Sequence, residues 1–322
     1  MKGQQQAAGS KKRKQAPFKA EAEEGRMDRW ARLQKMNTGA QLKRMMNKEA
    51  TFQGVQKEAI KAITVGKSPI VVVMPTGAGK SMLFMLPAWA KQGGTTVVVV
   101  PLIALRRDMK QRCNALRISC AEWEGRCSPN AAAIVLVTPE SAVSEGFMTF
   151  LNRLKATQQL DRIVIDECHI VLNHQYTFRK QMQQLRRLMM AEMQMVLLTA
   201  MLPLSKEEEL YRRMYFKKEQ VKKFRARTAR VNVAYQVVDI SRVERRGDKE
   251  KMVLGLIDKQ FQRYATGKVV VYCNTVPKVK RIAEGFGCNA YHHHAIEKDS
   301  MLKDFREGRQ RMIVATSVRD GC

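Results

Sequence analysis

Seven short runs of β-branched and apolar residues punctuate this 322-residue chain. They are IVVVM (70–74), VVVVP (97–101), IVLVT (134–138), IVID (163–166), VLLT (196–199), VVVYC (269–273) and MIVAT (312–316). The runs are continuous rather than alternating, which suits strands buried on both faces. Stretches of helical character lie between them, at 81–91, 140–160 and 176–192. Strands that alternate with helices build a parallel sheet covered on both sides, so the expected fold class is α/β.

The length suits about two domains of roughly 100–200 residues each. A charged stretch from 217 to 250, including KKEQVKKFRARTAR and RVERRGDKEK, reads as a connection between two α/β lobes. The expected division is a basic flexible tail at 1–48, a first lobe at 49–225, a linker and entry at 226–250, and a second lobe at 251–322. That second lobe is expected to be incomplete, because the run from about 231 is short and ends directly after a strand. Within the tail, residues 26–48 have helical character and could dock on the core.

Lys and Arg number 58 against 30 Asp and Glu, a formal net charge of +28. Such an excess points to a polyanionic partner, nucleic acid first. A hydrophobic content of 45% excludes wholesale disorder. No apolar run approaches the ~18 residues of a membrane span, and the opening MKGQQQAAGS is not a secretory signal. Seven widely spaced cysteines do not form a disulfide framework and favour a reducing compartment. No CxxC pair supports zinc, and His292-His293-His294 reads as a polar run without a second ligand cluster. Lys11-Lys12-Arg13-Lys14 suits a solvated tail, a nuclear address or a phosphate-binding arm.

Two motifs carry chemistry. Met74 to Ser81 reads MPTGAGKS, after one apolar run and before a helical one. It ends as a phosphate loop ends, although Met74 stands where the first Gly of that pattern would be. Thr76, Gly77, Ala78 and Gly79 form a loop whose backbone N–H groups can wrap phosphate oxygens. Lys80 can reach the β and γ phosphates, and the Ser81 hydroxyl can ligate Mg²⁺. The second motif, RIVIDECH (162–169), delivers Asp166 and Glu167 to the carboxyl end of a strand, where α/β sheets bind ligands. One carboxylate can hold Mg²⁺ and its neighbour can polarise a water.

Together these motifs resemble superfamily 2 helicases, and further matches resemble the RecQ branch. FQGVQKEAI (52–60) looks like the adenine-reading opening of RecQ cores. VVVVPLIALRRDM (97–109), VLVTPE (135–140), VLLTAMLP (196–203), RVNVAYQV (230–237), VVVYCNTV (269–276) and DFREGRQRMIVATSV (304–318) follow in the family's order. The resemblance covers about 50–322. It implies two RecA-like P-loop lobes, the second one partial, with ATP and Mg²⁺ as cofactors. It also implies 3′-to-5′ unwinding of DNA, with single-stranded and duplex DNA as partners in the nucleus. Gln56 would read adenine, Lys80 and Ser81 would bind phosphate and Mg²⁺, Asp166 would organise the metal, and Glu167 would be the catalytic base. His169, Thr199 and Ala200 would couple hydrolysis to strand movement. IVLNHQYTFRK (170–180) aligns with the DNA-sensing aromatic loop, which assigns Tyr176, Phe178 and Arg179 to DNA. His174 replaces the family's Trp there, Cys168 its usual Ala, and Met201 its usual Thr. The chain ends inside motif V, before the family's arginine finger. Two other readings stay open: an ATP- and nucleic-acid-binding chain with impaired turnover, and a DEAD/DEAH-box RNA helicase.

Overall fold

All seven apolar runs are strands in the computed structural model, which describes residues 17–90, 94–101, 103–125, 132–172, 193–228, 233–243 and 245–316. The chain divides into two compact units, Met1–Val233 and Ala234–Cys322. The first is built on seven strands: β1 (Ile70–Val73), β2 (Thr95–Val99), β3 (Cys120–Glu122), β4 (Ile134–Val137), β5 (Leu160–Ile165), β6 (Gln194–Thr199) and β7 (Lys222–Arg225). Their order is β3-β4-β2-β5-β6-β1-β7, and every pairing is parallel.

Burial on both faces explains the continuous apolar runs. Strands β1, β2, β4, β5 and β6 are buried at every position. Successive side chains point to opposite faces, so each run feeds two cores. Val71, Val73, Val97, Val99, Ile163 and Leu197 join one cluster. Ile70, Val72, Val98, Val164, Val196 and Leu198 join the other. Burying one such side chain fully is worth roughly 1.5–3 kcal/mol, so the centre of the sheet is a rigid platform.

Two edge strands escaped the hydrophobic pattern. Strand β3 is short and only half-buried. Strand β7, KKFR, lies in the stretch expected to be irregular, yet it pairs with β1 from Ile70↔Lys222 to Val73↔Arg225. Lys222 and Lys223 face solvent at this edge, which is how a strand can carry charge and still complete a sheet.

The stretch assigned by composition to a flexible tail also needs correction from Pro17 onward. Helices span Pro17–Gln34 and Thr38–Met46. Leu33, Leu42 and Met45 are buried, and Arg29 lies 3.2 Å from Asp161 in a pair secluded from solvent. A few well-placed apolar residues anchor these helices, and an average over 48 residues conceals them. The Lys11–Lys14 cluster lies outside the described residues.

The second unit holds β8 (Val269–Cys273), β9 (Asn289–Tyr291) and β10 (Met312–Thr316), parallel and ordered β8-β10-β9. Its core is small: Cys273, Val279, Ala283 and Val314. Among the described residues, no helix is long and apolar enough to cross a membrane.

Candidate active site

Three neighbouring strands, β5, β6 and β1, end side by side, and each releases one motif. After β1 the chain turns through Pro75–Ser81 into the helix Met82–Ala90. Gly77 and Gly79 have φ of +84° and +73°, the left-handed region that glycine enters without steric cost. A Cβ on Gly79 would stand 2.8 Å from Gln56 Nε2, so this position is closed to a side chain on two grounds. At Gly77 nothing from the protein comes within 4 Å of that point, and the cradle is open there.

Gln56 braces the loop from below. Its Nε2 donates to the carbonyls of Ala78 (2.7 Å) and Gly79 (3.2 Å), while its Oε1 accepts from Gln53 N–H (2.7 Å). Only 5% of the residue is exposed. The structure thus puts the amide on the loop backbone, in addition to the adenine-reading use its motif implies.

After β5, Asp166 N–H donates to Val99 O of β2 (3.0 Å), and the Asp166 carboxylate accepts Glu167 N–H (3.0 Å). Glu167 has φ +47°. A non-glycine residue pays about 1 kcal/mol for that region, and such outliers gather at functional sites. The turn brings the Glu167 carboxylate to 3.8 Å from Lys80 Nζ and 3.2 Å from His169 Nδ1. Burial acts most strongly on Glu167 and raises its pKa. The His169 hydrogen bond, Lys80 and the Ala200 N–H outweigh it, so the pKa lies below the usual value and the group is ionised. Asp166 behaves oppositely. Burial, then the Glu167 charge, push it up to about 6.

β6 supplies the third motif. Thr199 is fully buried. Its hydroxyl lies 2.9 Å from His169 Nδ1, donates to Met201 O (3.1 Å) and accepts from Met201 N–H (3.1 Å). With that hydroxyl proton on Met201 O, the Nδ1–H of His169 is shared between Thr199 and Glu167 Oε2. The buried Glu167 Oε2 is left with unfilled accepting capacity. Met74 N–H donates to Thr199 O (3.0 Å), so the phosphate loop and the third motif also share backbone.

Two groups of contacts were not legible in sequence. Arg225 Nη2 at the end of β7 donates to Leu202 O (2.7 Å) and to Glu207 Oε1 (2.6 Å), while Lys223 holds Glu207 Oε2 (2.7 Å). Arg213 Nη1 donates to Val171 O (2.6 Å) and fixes the 3₁₀ turn Cys168–Leu172 that follows the acidic box. Nothing in a charged stretch distinguishes an arginine that will find a loop carbonyl.

Residues 53–210 match the DEAD/DEAH box helicase family. The chain carries a DEAD/DEAH box helicase domain. That domain contains the loop, the acidic box and the Thr199–Ala200 motif. Among curated proteins, the chain is 28% identical to the rat (Rattus norvegicus) ATP-dependent DNA helicase Q5, over 85% of this chain and 31% of that protein. It is 27% identical to ATP-dependent helicase SGS1 of Saccharomyces cerevisiae (82% and 19%), and 25% identical to RecQ of Pasteurella multocida (83% and 43%). The chain therefore spans less than half the length of these relatives. Among solved structures it is similar to S. cerevisiae Dbp5 bound to RNA and ADP BeF3, with a TM-score of 0.60 and 16% identity over 89% of this chain and 75% of that one. It is also similar to the Mycobacterium smegmatis helicase Lhr bound to ssDNA and AMP-PNP, at 0.53 and 22% over 82% and 39%. These structural likenesses establish the helicase fold.

The helicase domain gathers Gln56, Gly77–Ser81, Asp166, Glu167, His169, Thr199 and Ala200 at one end of the sheet. Thr76 is exposed on the same loop. Tyr176, Phe178, Arg179 and His174 lie outside the described residues. Among the described residues no group of three or more His, Cys, Asp or Glu could hold a metal unaided. The donor set does suit a Mg²⁺ that brings its own phosphate oxygens. Ser81 offers a hydroxyl, and two crowded carboxylates, one with its pKa raised, call for a cation.

Proposed function

We propose that this chain is the motor core of an ATP-dependent DNA helicase of RecQ type, translocating 3′ to 5′ along one strand in the nucleus. The observation that carries the reading is the chain of contacts Lys80–Glu167–His169–Thr199, strung across the ends of β1, β5 and β6. Gly77, Ala78 and Gly79 wrap the phosphates with backbone N–H groups, and Lys80 neutralises the β and γ oxygens. Gln56 reads adenine at the mouth of the loop it braces. Ser81 and Asp166 would hold Mg²⁺, which supplies charge neutralisation on the triphosphate when bound. Glu167, ionised beside Lys80, orients the attacking water and accepts its proton. His169 and Thr199 tie that carboxylate to the loop Ala200–Pro203, so a change at the γ-phosphate moves the third motif. Tyr176, Phe178 and Arg179 would stack and hold the DNA strand, and the excess of positive charge supplies sequence-independent attraction to its phosphates.

DNA is favoured over RNA because relatives by sequence, the rat helicase Q5 and RecQ of Pasteurella multocida among them, are named as DNA helicases. The RNA-bound neighbour resembles the chain in fold at 16% identity. The test is Mg²⁺-dependent ATP hydrolysis with and without single-stranded DNA, paired with unwinding of 3′-tailed and 5′-tailed duplexes. Hydrolysis stimulated by DNA and unwinding restricted to 3′ tails are expected. Equal hydrolysis with and without DNA, or stimulation by RNA alone, would overturn the reading.

A further inference from the structure

A cleft of about 860 Å³ opens where the helix Pro17–Gln34 lies over the amino ends of β1 and β6, away from the nucleotide loop. Its size is that of a site for a small organic molecule. Met27 and Trp30 line it from the helix, Met193 and Met195 from the start of β6, and Phe216 from the segment before β7. Rings and thioethers together suit a flat aromatic body, because sulfur and aromatic rings attract one another.

The polar groups favour an anion. Arg26 is part of the lining, and its Nη1 donates to Gln158 Oε1 (2.9 Å). Its Nη2 meets the sulfur of Met193 at 3.9 Å, and a thioether is a weak acceptor. Ser68, also in the lining, accepts Met195 N–H (3.0 Å) and has its own hydroxyl proton to donate. Behind the wall, Arg162 is fully buried, bonded to the lining residue Gln194 (3.0 Å) and stacked over Trp30. Among the described residues, Arg162 Nη2 and Trp30 Nε1 meet no acceptor. The adjacent carboxylate, Asp161, is engaged by Arg29 (3.2 Å). Positive charge is therefore undercompensated at this wall. Glu23, exposed in the lining, is the group that opposes an anion.

We infer that this cleft binds a small aromatic anion, its rings between Trp30, Phe216 and the methionines and its carboxylate or sulfonate oxygens on Arg26. A charge-assisted hydrogen bond then takes the place of the contact with Met193 sulfur, and it is the stronger of the two. Ser68 offers a second donor. The neutral counterpart of such a ligand keeps the stacking and loses the bond.

The probe is anilinonaphthalene sulfonate, compared with its neutral counterpart phenylnaphthylamine in fluorescence titrations of the full chain, with and without saturating ADP and Mg²⁺. One sulfonate probe per chain is expected, bound about tenfold more tightly than the neutral one and not displaced by ADP. Arg26→Gln should weaken the sulfonate about tenfold, the worth of one charged hydrogen bond, and leave the neutral probe unchanged. Glu23→Gln should tighten the sulfonate about twofold by removing a like charge. Met27→Glu, at an exposed position of the helix, adds a carboxylate to the lining and should weaken the sulfonate even if Arg26→Gln fails to fold. Absence of saturable one-to-one binding, displacement by ADP, equal affinity for the two probes, or indifference to Arg26→Gln and Met27→Glu would each overturn the inference.

Discussion

The two ends of one sheet put their charged residues to opposite uses. At the carboxyl ends of β1, β5 and β6, Lys80, Glu167 and His169 remain partly accessible, and one carboxylate oxygen lacks a well-formed partner. At the amino ends, Arg162 of β5 is fully buried, bound to Gln194 Oε1 (3.0 Å) and Thr96 Oγ1 (3.3 Å) and stacked over Trp30. Burial pulls its pKa down despite the neighbouring Asp161. Arg29 closes on Asp161 nearby, and a Cβ at Gly94 would collide with that carboxylate. A cleft of about 860 Å³ lies at the amino end, between Trp30, Met27, Pro69, Met195 and Phe216, away from the nucleotide loop. A small hollow lies beside the acidic box, lined by Asp166, Glu167 and Cys168. Cavity size therefore does not locate the chemistry here. Charges at one end hold the fold, and charges at the other are kept available for a ligand.

The sharpest way to test this contrast is Glu167→Gln. It keeps the shape and removes the proposed base, so ATP turnover should fall roughly 10³-fold while nucleotide binding and thermal stability stay near those of the parent. Steady-state hydrolysis and equilibrium binding of a fluorescent ATP analogue measure the two separately. At the opposite end, Arg29→Leu should do the reverse. It strands the buried Asp161 carboxylate and should cost about 3 kcal/mol of unfolding free energy, read by denaturant melts. Turnover per folded molecule should not change. A large loss of turnover in Arg29→Leu, beyond its loss of folded protein, would erase the distinction between the ends.

Smaller changes refine the picture. Thr199→Val keeps volume and removes the hydroxyl that His169 and Met201 share, leaving both short of a partner. DNA-stimulated hydrolysis should drop about tenfold, the equivalent of one lost hydrogen bond, and basal hydrolysis should drop less. Glu207→Gln weakens the clamp on Leu202 and should cost about 1 kcal/mol. Burial raises the Glu207 pKa, but the hydrogen bonds of Lys223 and Arg225 bring it below its ordinary 4.5. A depressed carboxylate adds stability above its unfolded pKa and loses it as pH falls through the folded one. The gap in melting temperature between the parent and Glu207→Gln should therefore be constant from pH 7 to about pH 5 and close below about pH 4.

Much of this was legible in the residues themselves. Continuous apolar runs located the doubly buried strands, and MPTGAGKS and RIVIDECH marked where two of them end. Strands β3 and β7 were not legible, because edge strands need only one buried neighbour and tolerate lysine. The docking of Pro17–Gln34 was hidden as well. It rests on buried Leu33 and on Arg29 and Trp30, which meet Asp161 and Arg162 more than a hundred residues away. The bracing of the loop by Gln56 was equally invisible, since an adenine-reading motif says nothing about which carbonyls its amide meets. Long-range side-chain pairing leaves no periodic signal.

The strand order has one further consequence. β1 lies between β6, which ends in Thr199, and β7, which ends in Arg225. Along the covalent chain, Lys80 is well over a hundred residues from Arg225. Through the sheet, their strands are neighbours at about 4.8 Å, and Ala226 N–H still bonds to Val73 O (2.9 Å) as the chain departs. The polypeptide thus leaves its first sheet beside the loop that would grip a phosphate. A displacement of that loop has one ladder of hydrogen bonds to cross before it tugs on the outgoing chain, a short circuit between the grip and the tether.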